Sequence, residues 1–145
     1  MNVLFVCLGN ICRSPMAAGI MRHIYEENGI SGKIESAGTM DWNVGNAADA
    51  RAVSVARANG VDLSKHRARQ VSIDDFEKFD LIFVMENAHA QTLRKIAPDI
   101  HKHKICLLGG QDEILDPYHS NEAAFHATYK ALKQYCRQAL RDHVQ

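Results

Sequence analysis

The run Val3-Leu4-Phe5-Val6, followed at once by Cys7-Leu8-Gly9-Asn10-Ile11-Cys12-Arg13-Ser14-Pro15, constrains this chain more than any other stretch. Unbroken apolar residues bounded by a loop read as a strand covered on both faces, the habit of a parallel sheet. The strand delivers Cys7 into a turn, and an Ala-rich helical stretch begins behind it, with Ser14 predicted as its cap and Pro15 at its first position. Strand, loop and helix start converge backbone N–H groups on one point, which suits a tetrahedral dianion such as phosphate.

The residue types in the loop fit that anion. A thiolate, not a thiol, is the attacking species, and amide dipoles beside a guanidinium favour the charged form; Cys7 is therefore the predicted nucleophile. Arg13 offers a planar fork for two phosphate oxygens, a geometry that still fits when phosphorus becomes trigonal bipyramidal. Gly9 is predicted to supply backbone freedom, and Asn10 to tolerate a left-handed conformation, so that both curl the loop. Leu8 and Ile11 form the apolar lip of the cradle. Ser14 has a second expected task, donating its hydroxyl to the sulfur and making it a better leaving group later.

Other readings of the same residues are open on sequence. Cys7 and Cys12 could be inert buried thiols, although a plain core does not call for Gly, Asn, Arg and Ser in this order after a strand. A zinc site would need a second ligand pair. His101-x-His103-x-x-Cys106 is the nearest candidate, and it reads more simply as a polar histidine pair at a strand edge. A dinucleotide fingerprint would need three glycines where this loop has Gly9 alone.

Length and charge bound the class. A chain of 145 residues buries roughly two thirds of its extended surface, enough for one core, so residues 1–145 are expected to form a single domain. The 17 basic and 17 acidic residues balance, so no global field favours nucleic acid or membrane, and attraction for phosphate must be local. Four cysteines, with Cys106 and Cys136 in apolar runs and no secretory leader in view, suggest free thiols in a reducing, cytoplasmic setting. No apolar stretch is long enough to cross a bilayer.

Apolar runs alternate with helical patterns along the chain. Helices are predicted from Met16 to Glu27, from Ala48 to Asn59, over a short stretch opened by a capping box at Ser72, from a cap at Asn87 to near Pro98, and from Ser120 onward. In the last of these, Phe125, Tyr129, Leu132, Cys136 and Leu140 recur at helical spacing over roughly six turns. Further strands are predicted at Lys33–Ala37, Asp80–Met85 and Lys104–Leu108. The alternation implies an α/β fold: a four-stranded parallel sheet in the order 2-1-3-4 with helices on both faces. The phosphate-binding loop after the first strand then lies at the switch point of the sheet.

Asp116-Pro117 supplies the other half of the chemistry. Proline keeps the preceding residue extended, so Asp116 stays out of the next helix and its carboxyl can hang over the cradle. Asp-Pro alone is usually only a turn. Beside the cysteine loop it becomes a proton donor to a departing phenolate, and then a base toward water. The expected course is attack by Cys7, a phosphocysteine intermediate and hydrolysis, with no metal and no cofactor, because Arg13 and the amides supply the positive charge.

With the loop, Asp116-Pro117-Tyr118, Glu35-Ser36-Ala37-Gly38, Asp41-Trp42-Asn43-Val44-Gly45 and His66-Arg67-Ala68-Arg69-Gln70-Val71 all in place, the chain resembles the low-molecular-weight protein tyrosine phosphatases over nearly its whole length. The resemblance implies a phosphotyrosine phosphatase acting on phosphotyrosine-containing proteins and small aryl phosphates. A monomer capable of weak self-association is expected. Trp42, Asn43 and Tyr118 match positions that line the substrate cleft; ordinary packing is the other reading of the two aromatic residues. Ser36 and His66 match positions that brace Asn10. In the related phosphoarginine phosphatases threonine is typical where Ile11 stands, so isoleucine favours phosphotyrosine.

Two departures stand out: Glu86 follows Met85 where aspartate is usual, and His119 follows Tyr118 where some animal members carry a second tyrosine. Control by phosphorylation of paired tyrosines is therefore not expected. An arsenate reductase on the same fold would need two late redox cysteines on one segment, a pattern that Cys106 and Cys136 do not form. A phosphopeptide-binding module would be expected to lack Cys7 or Asp116. Cys12 carries a redox expectation, that it traps a Cys7 sulfenic acid as a disulfide.

Overall fold

A computed structural model describes residues 1–144. Its sheet has the strands β1 (Val3–Cys7), β2 (Ile34–Gly38), β3 (Leu81–Val84) and β4 (Ile105–Leu107), all parallel in the order β2-β1-β3-β4. The helices are α1 (Arg13–Glu27), α2 (Ala50–Ala58), α3 (Ile73–Lys78), α4 (Asn87–Ile96) and α5 (Glu122–Ala139). Fold class, strand order and the five helical segments agree with the sequence reading.

The period-two alternation of β1 explains the two layers. Val3, Phe5 and Cys7 face a core with Met16, Ala17 and Ile20 of α1 and Phe125, Leu132 and Cys136 of α5, whereas Leu4 and Val6 face Phe76 and Phe79 with Leu93 of α4. Every residue of β1 is buried, because helices cover both sides of a strand that is itself interior to the sheet. Phe5 and Phe83 stack across the β1–β3 pair with ring centroids 5.7 Å apart. Phe125, Tyr129, Leu132, Cys136 and Ala139 form the buried stripe of α5.

Several boundaries differ from the sequence reading. Cys12, not Ser14, is the cap residue of α1, since the Met16 N–H bonds to the Cys12 carbonyl and closes the first turn there. Pro15 therefore occupies the third helical position, where its missing N–H still costs no intrahelical bond. Asp49 caps α2, its side chain accepting the Arg51 N–H at 2.9 Å, so that helix starts two residues later than predicted. Glu86 rather than Asn87 caps α4. His101 and His103 lie in a 3₁₀ turn, Asp99–Lys104, and not at a strand edge. The Ser72 capping box is present, with Asp75 as its partner.

Cys7 pairs with Gly38 at the carboxyl end of the β1–β2 ladder. Because the chain passes to β2 on one side of β1 and to β3 on the other, the loops after neighbouring strands diverge and leave a crevice over β1.

Candidate active site

That crevice is an open cleft lined by Cys7 to Arg13 from the loop after β1, by Trp42 and Asn43 from the segment after β2, and by Asp116, Tyr118 and His119 from the segment after β4. β3 contributes from behind, since Glu86 lies two residues past its end and reaches Arg13. All four strands thus deliver a residue to one place.

The loop is held in shape by Asn10. It is the one non-glycine residue with positive φ among those described, at 57°, and it is 1% exposed. Its Nδ2 donates to Ser14 Oγ at 2.8 Å and to Ser36 Oγ at 2.9 Å, its Oδ1 accepts the Arg69 N–H at 2.9 Å, and its carbonyl accepts from His66 Nε2 at 2.7 Å. The carbonyl can only accept, which places the ring proton of neutral His66 on Nε2. Burial pushes the His66 imidazole below its usual range, against the smaller opposing pull of that bond to Asn10.

Gly9 acts by its size and not by unusual torsions, since it is not among the glycines with positive φ. A Cβ there would lie 2.6 Å from Asn43 Nδ2, the group that donates to the Gly9 carbonyl at 3.2 Å. Gly38 gives similar room below the loop: an added Cβ would sit 2.8 Å from the Leu8 carbonyl oxygen.

Cys7 Sγ lies 2.9 Å from Ser14 Oγ at the floor of the cleft. Because Asn10 Nδ2 donates to that same Oγ, the hydroxyl proton is free for the sulfur, which is nearer than its alternative acceptor, the Ala37 carbonyl at 3.5 Å. Cys12, at the start of α1, is also buried. Desolvation raises its thiol far above the usual range, and the nearby charge of Asp49 raises it further.

Arg13 is 2% exposed and is fastened by one edge. Its Nη1 donates to Glu86 Oε2 at 2.5 Å and to the Ile114 carbonyl at 2.7 Å, while Nη2 stands 3.5 Å from Asp116 Oδ2. The Nε–Nη2 edge forms no hydrogen bond among the described residues, so it can grip two oxygens of an anion. His89 steadies Glu86, its Nδ1 accepting the Glu86 N–H at 3.2 Å and its Nε2 lying 3.7 Å from Glu86 Oε2. Burial first, and the Arg13 charge second, lower His89 from its usual range.

Asp116 is partly exposed, at 39% of its side chain, and its Oδ1 accepts the Tyr118 N–H at 3.1 Å. Pro117 between them is buried and roots the segment. Trp42, 66% exposed, and Tyr118, 41% exposed, stand at the cleft as flat walls, so the packing reading for them does not hold. His119 meets the Tyr118 ring edge-on at 4.9 Å.

Every residue predicted for the site is therefore in the cleft or one hydrogen bond from it. Sequence reasoning missed the fastening of Arg13 by Glu86 and Ile114, the place of His119 in the wall, and the bonds from Arg51 to Asp49 and to the Tyr118 carbonyl. Glu86 had been visible only as a departure. Arg51 carried a signal of its own, a cation in the first turn of a helix, where the dipole disfavours it. Among the described residues, no group of three or more His, Cys, Asp or Glu is placed to share a metal ion, and no helix is long and apolar enough to cross a membrane.

Comparison with known proteins agrees with this geometry. A family model described as low molecular weight phosphotyrosine protein phosphatase matches residues 2–145. The low molecular weight phosphotyrosine protein phosphatase of Sus scrofa is 39% identical, over 94% of this chain and 91% of that protein. The crystal structure of a protein tyrosine phosphatase from Entamoeba histolytica, with Hepes in its active site, superposes with a TM-score of 0.92 at 33% identity, covering 97% of this chain and 95% of that one. Vibrio vulnificus Wzb in complex with benzylphosphonate gives 0.88 at 32% identity, covering 97% of each chain.

Proposed function

The chain belongs to the low molecular weight phosphotyrosine protein phosphatases, and from that premise we propose which of its residues carries each step of the reaction. It is a hydrolase that removes phosphate from phosphotyrosine in proteins. The assignment of roles rests on one observation: Asp116, remote in sequence from the loop that carries Cys7 and Arg13, lines the same cleft as both.

The phosphate dianion sits over Cys7 Sγ, with two oxygens on the free edge of Arg13 and others on the backbone N–H groups of the loop and the first turn of α1. Trp42 and Tyr118 flank the tyrosyl ring, and Leu8 and Ile11 meet its edge. Benzylphosphonate, an aromatic ring joined through a methylene to a phosphorus oxyanion, bound to Vibrio vulnificus Wzb supports a cleft of this double character. The sulfur attacks phosphorus, the P–O bond to the ring breaks, and Asp116 gives its proton to the departing oxygen. In the second half the Asp116 carboxylate takes a proton from water, the water oxygen attacks the phosphocysteine, and Cys7 leaves as a thiolate stabilised by the Ser14 hydroxyl.

The described cysteines are all free, which supports a reducing compartment such as the cytoplasm. Turnover of para-nitrophenyl phosphate and a phosphotyrosine peptide tests the assignment. Cys7→Ser is expected to abolish activity, and Asp116→Ala to slow the peptide reaction by about 10²–10⁴-fold. Full activity in Cys7→Ser would refute it.

A further inference from the structure

Arg51, the second residue of α2, touches none of the reacting atoms and yet ties together the two halves of the site. Its Nε and Nη2 grip the two carboxylate oxygens of Asp49, each at 3.0 Å. Asp49 in turn donates its backbone N–H to the Ile11 carbonyl in the phosphate loop at 2.8 Å. On the opposite side, Nη2 donates to the Tyr118 carbonyl at 2.9 Å and Nη1 to the Ser120 carbonyl at 3.1 Å. The guanidinium also lies over the Phe125 ring, 4.4 Å from its centroid.

Tyr118 is the joint. Arg51 holds it by the carbonyl, and the N–H of the same residue holds Asp116 Oδ1 at 3.1 Å. A continuous path therefore runs from Ile11 through Asp49 and Arg51 to Tyr118 and Asp116. The cost of placing a cation against the positive end of α2 is offset by the Asp49 carboxylate and two carbonyls. Lysine could not serve the two sides at once, because its donors radiate from a single nitrogen.

We propose that Arg51 is a positioning residue for proton transfer, fixing the Asp116 carboxyl at its working distance from the phosphate cradle through Asp49 on one side and the backbone of Tyr118 on the other. The proposal rests on the reading of Asp116 as the proton donor. The Asp49 carboxylate, held below its ordinary range chiefly by its bonds from Arg51, stays charged across the neutral range, so the pair persists. A displacement of the donor by about 1 Å costs on the order of 10²-fold in rate.

A series of aryl phosphates running from para-nitrophenyl to phenyl separates this from a general loosening of the protein, since only the poor leaving group needs the proton. In Arg51→Met, which keeps an apolar stem over Phe125, kcat/KM is expected to fall about 10–100-fold for phenyl phosphate and less than about 3-fold for para-nitrophenyl phosphate. Arg51→Met/Asp116→Ala is expected to be no slower on phenyl phosphate than Asp116→Ala alone. An equal fall across the series in Arg51→Met, or losses that multiply in the double variant, would overturn the clamp while leaving Asp116 its role. A series unchanged in slope by Asp116→Ala would overturn the donor assignment and the clamp with it. Should Arg51→Met not fold, Arg51→Lys takes its place with the same expected bias against phenyl phosphate, and an even fall again overturns the proposal.

Discussion

Arg13 is bound to Glu86 through Nη1 alone, at 2.5 Å, so the carboxylate orients the guanidinium without occupying the edge that faces the cleft. A buried cation held on one side and open on the other is ready for an anion before one arrives, which is how fixed charge lowers a barrier without reorganisation.

Removing that hold should be costly. Glu86→Ala leaves Arg13 Nη1 with the Ile114 carbonyl as its hydrogen-bond acceptor among the described residues, and the expected loss is about 1–3 kcal/mol of stability with about a 10–100-fold fall in kcat/KM. Glu86→Gln keeps an acceptor and is expected to lose less in both. Urea titration and steady-state kinetics on a phosphotyrosine peptide measure the two effects.

Asn10 concentrates the loop's shape in one side chain. Asn10→Ala combines a strained left-handed backbone with several broken hydrogen bonds, and should destabilise the protein by about 2–4 kcal/mol. Ser36→Ala removes a single acceptor and should cost about 1 kcal/mol. If the two variants proved equally stable, Asn10 would not be the keystone its contacts describe.

Acid should weaken the fold through two histidines. Burial depresses both His66 and His89 below the range of an unfolded imidazole. Above the unfolded value of about 6.5 neither state binds the proton, and stability is complete. As pH falls from there toward the depressed folded values, the unfolded chain takes up protons that the folded chain refuses, so stability drops. Urea midpoints measured at stepwise lower pH should fall in wild type and fall less in His66→Gln/His89→Gln. A midpoint insensitive to pH in the wild type would contradict the assignment of neutral, buried rings.

Oxidation gives a separate test. Peroxide is expected to convert the Cys7 thiolate to a sulfenic acid, whose condensation with the Cys12 thiol would form a disulfide and release water. Activity regained with dithiothreitol after a peroxide pulse should be lower in Cys12→Ser than in wild type. Equal recovery would remove Cys12 from this chemistry.

The parts of this molecule legible in its sequence are those fixed locally. The buried strand before Cys7, the stripe from Phe125 to Leu140 and the isolation of Asp116 by Pro117 follow from periodicity or from a single dihedral restriction, and each is present. The start of α1 was misplaced because Ser14 and Pro15 mimic a cap and first position, while the turn actually closes on Cys12 to bring Arg13 under the anion site. The value of Gly9 was legible as necessity but not as cause, since its neighbour Asn43 arrives from a distant segment. The hold of Glu86 and Ile114 on Arg13 and the reach of Arg51 to Tyr118 were out of range for the same reason: these partners lie 73, 101 and 67 residues apart along the chain.

In the proposed reaction Cys7 Sγ is the atom that receives phosphate. Rapid acid quench of the enzyme during turnover of para-nitrophenyl phosphate, followed by peptide mass spectrometry, measures this directly. The expected result is one phosphoryl group on the peptide carrying Cys7, absent in Cys7→Ser. A phosphoryl group found on any other residue, or a Cys7→Ser variant that still turns over, would contradict it.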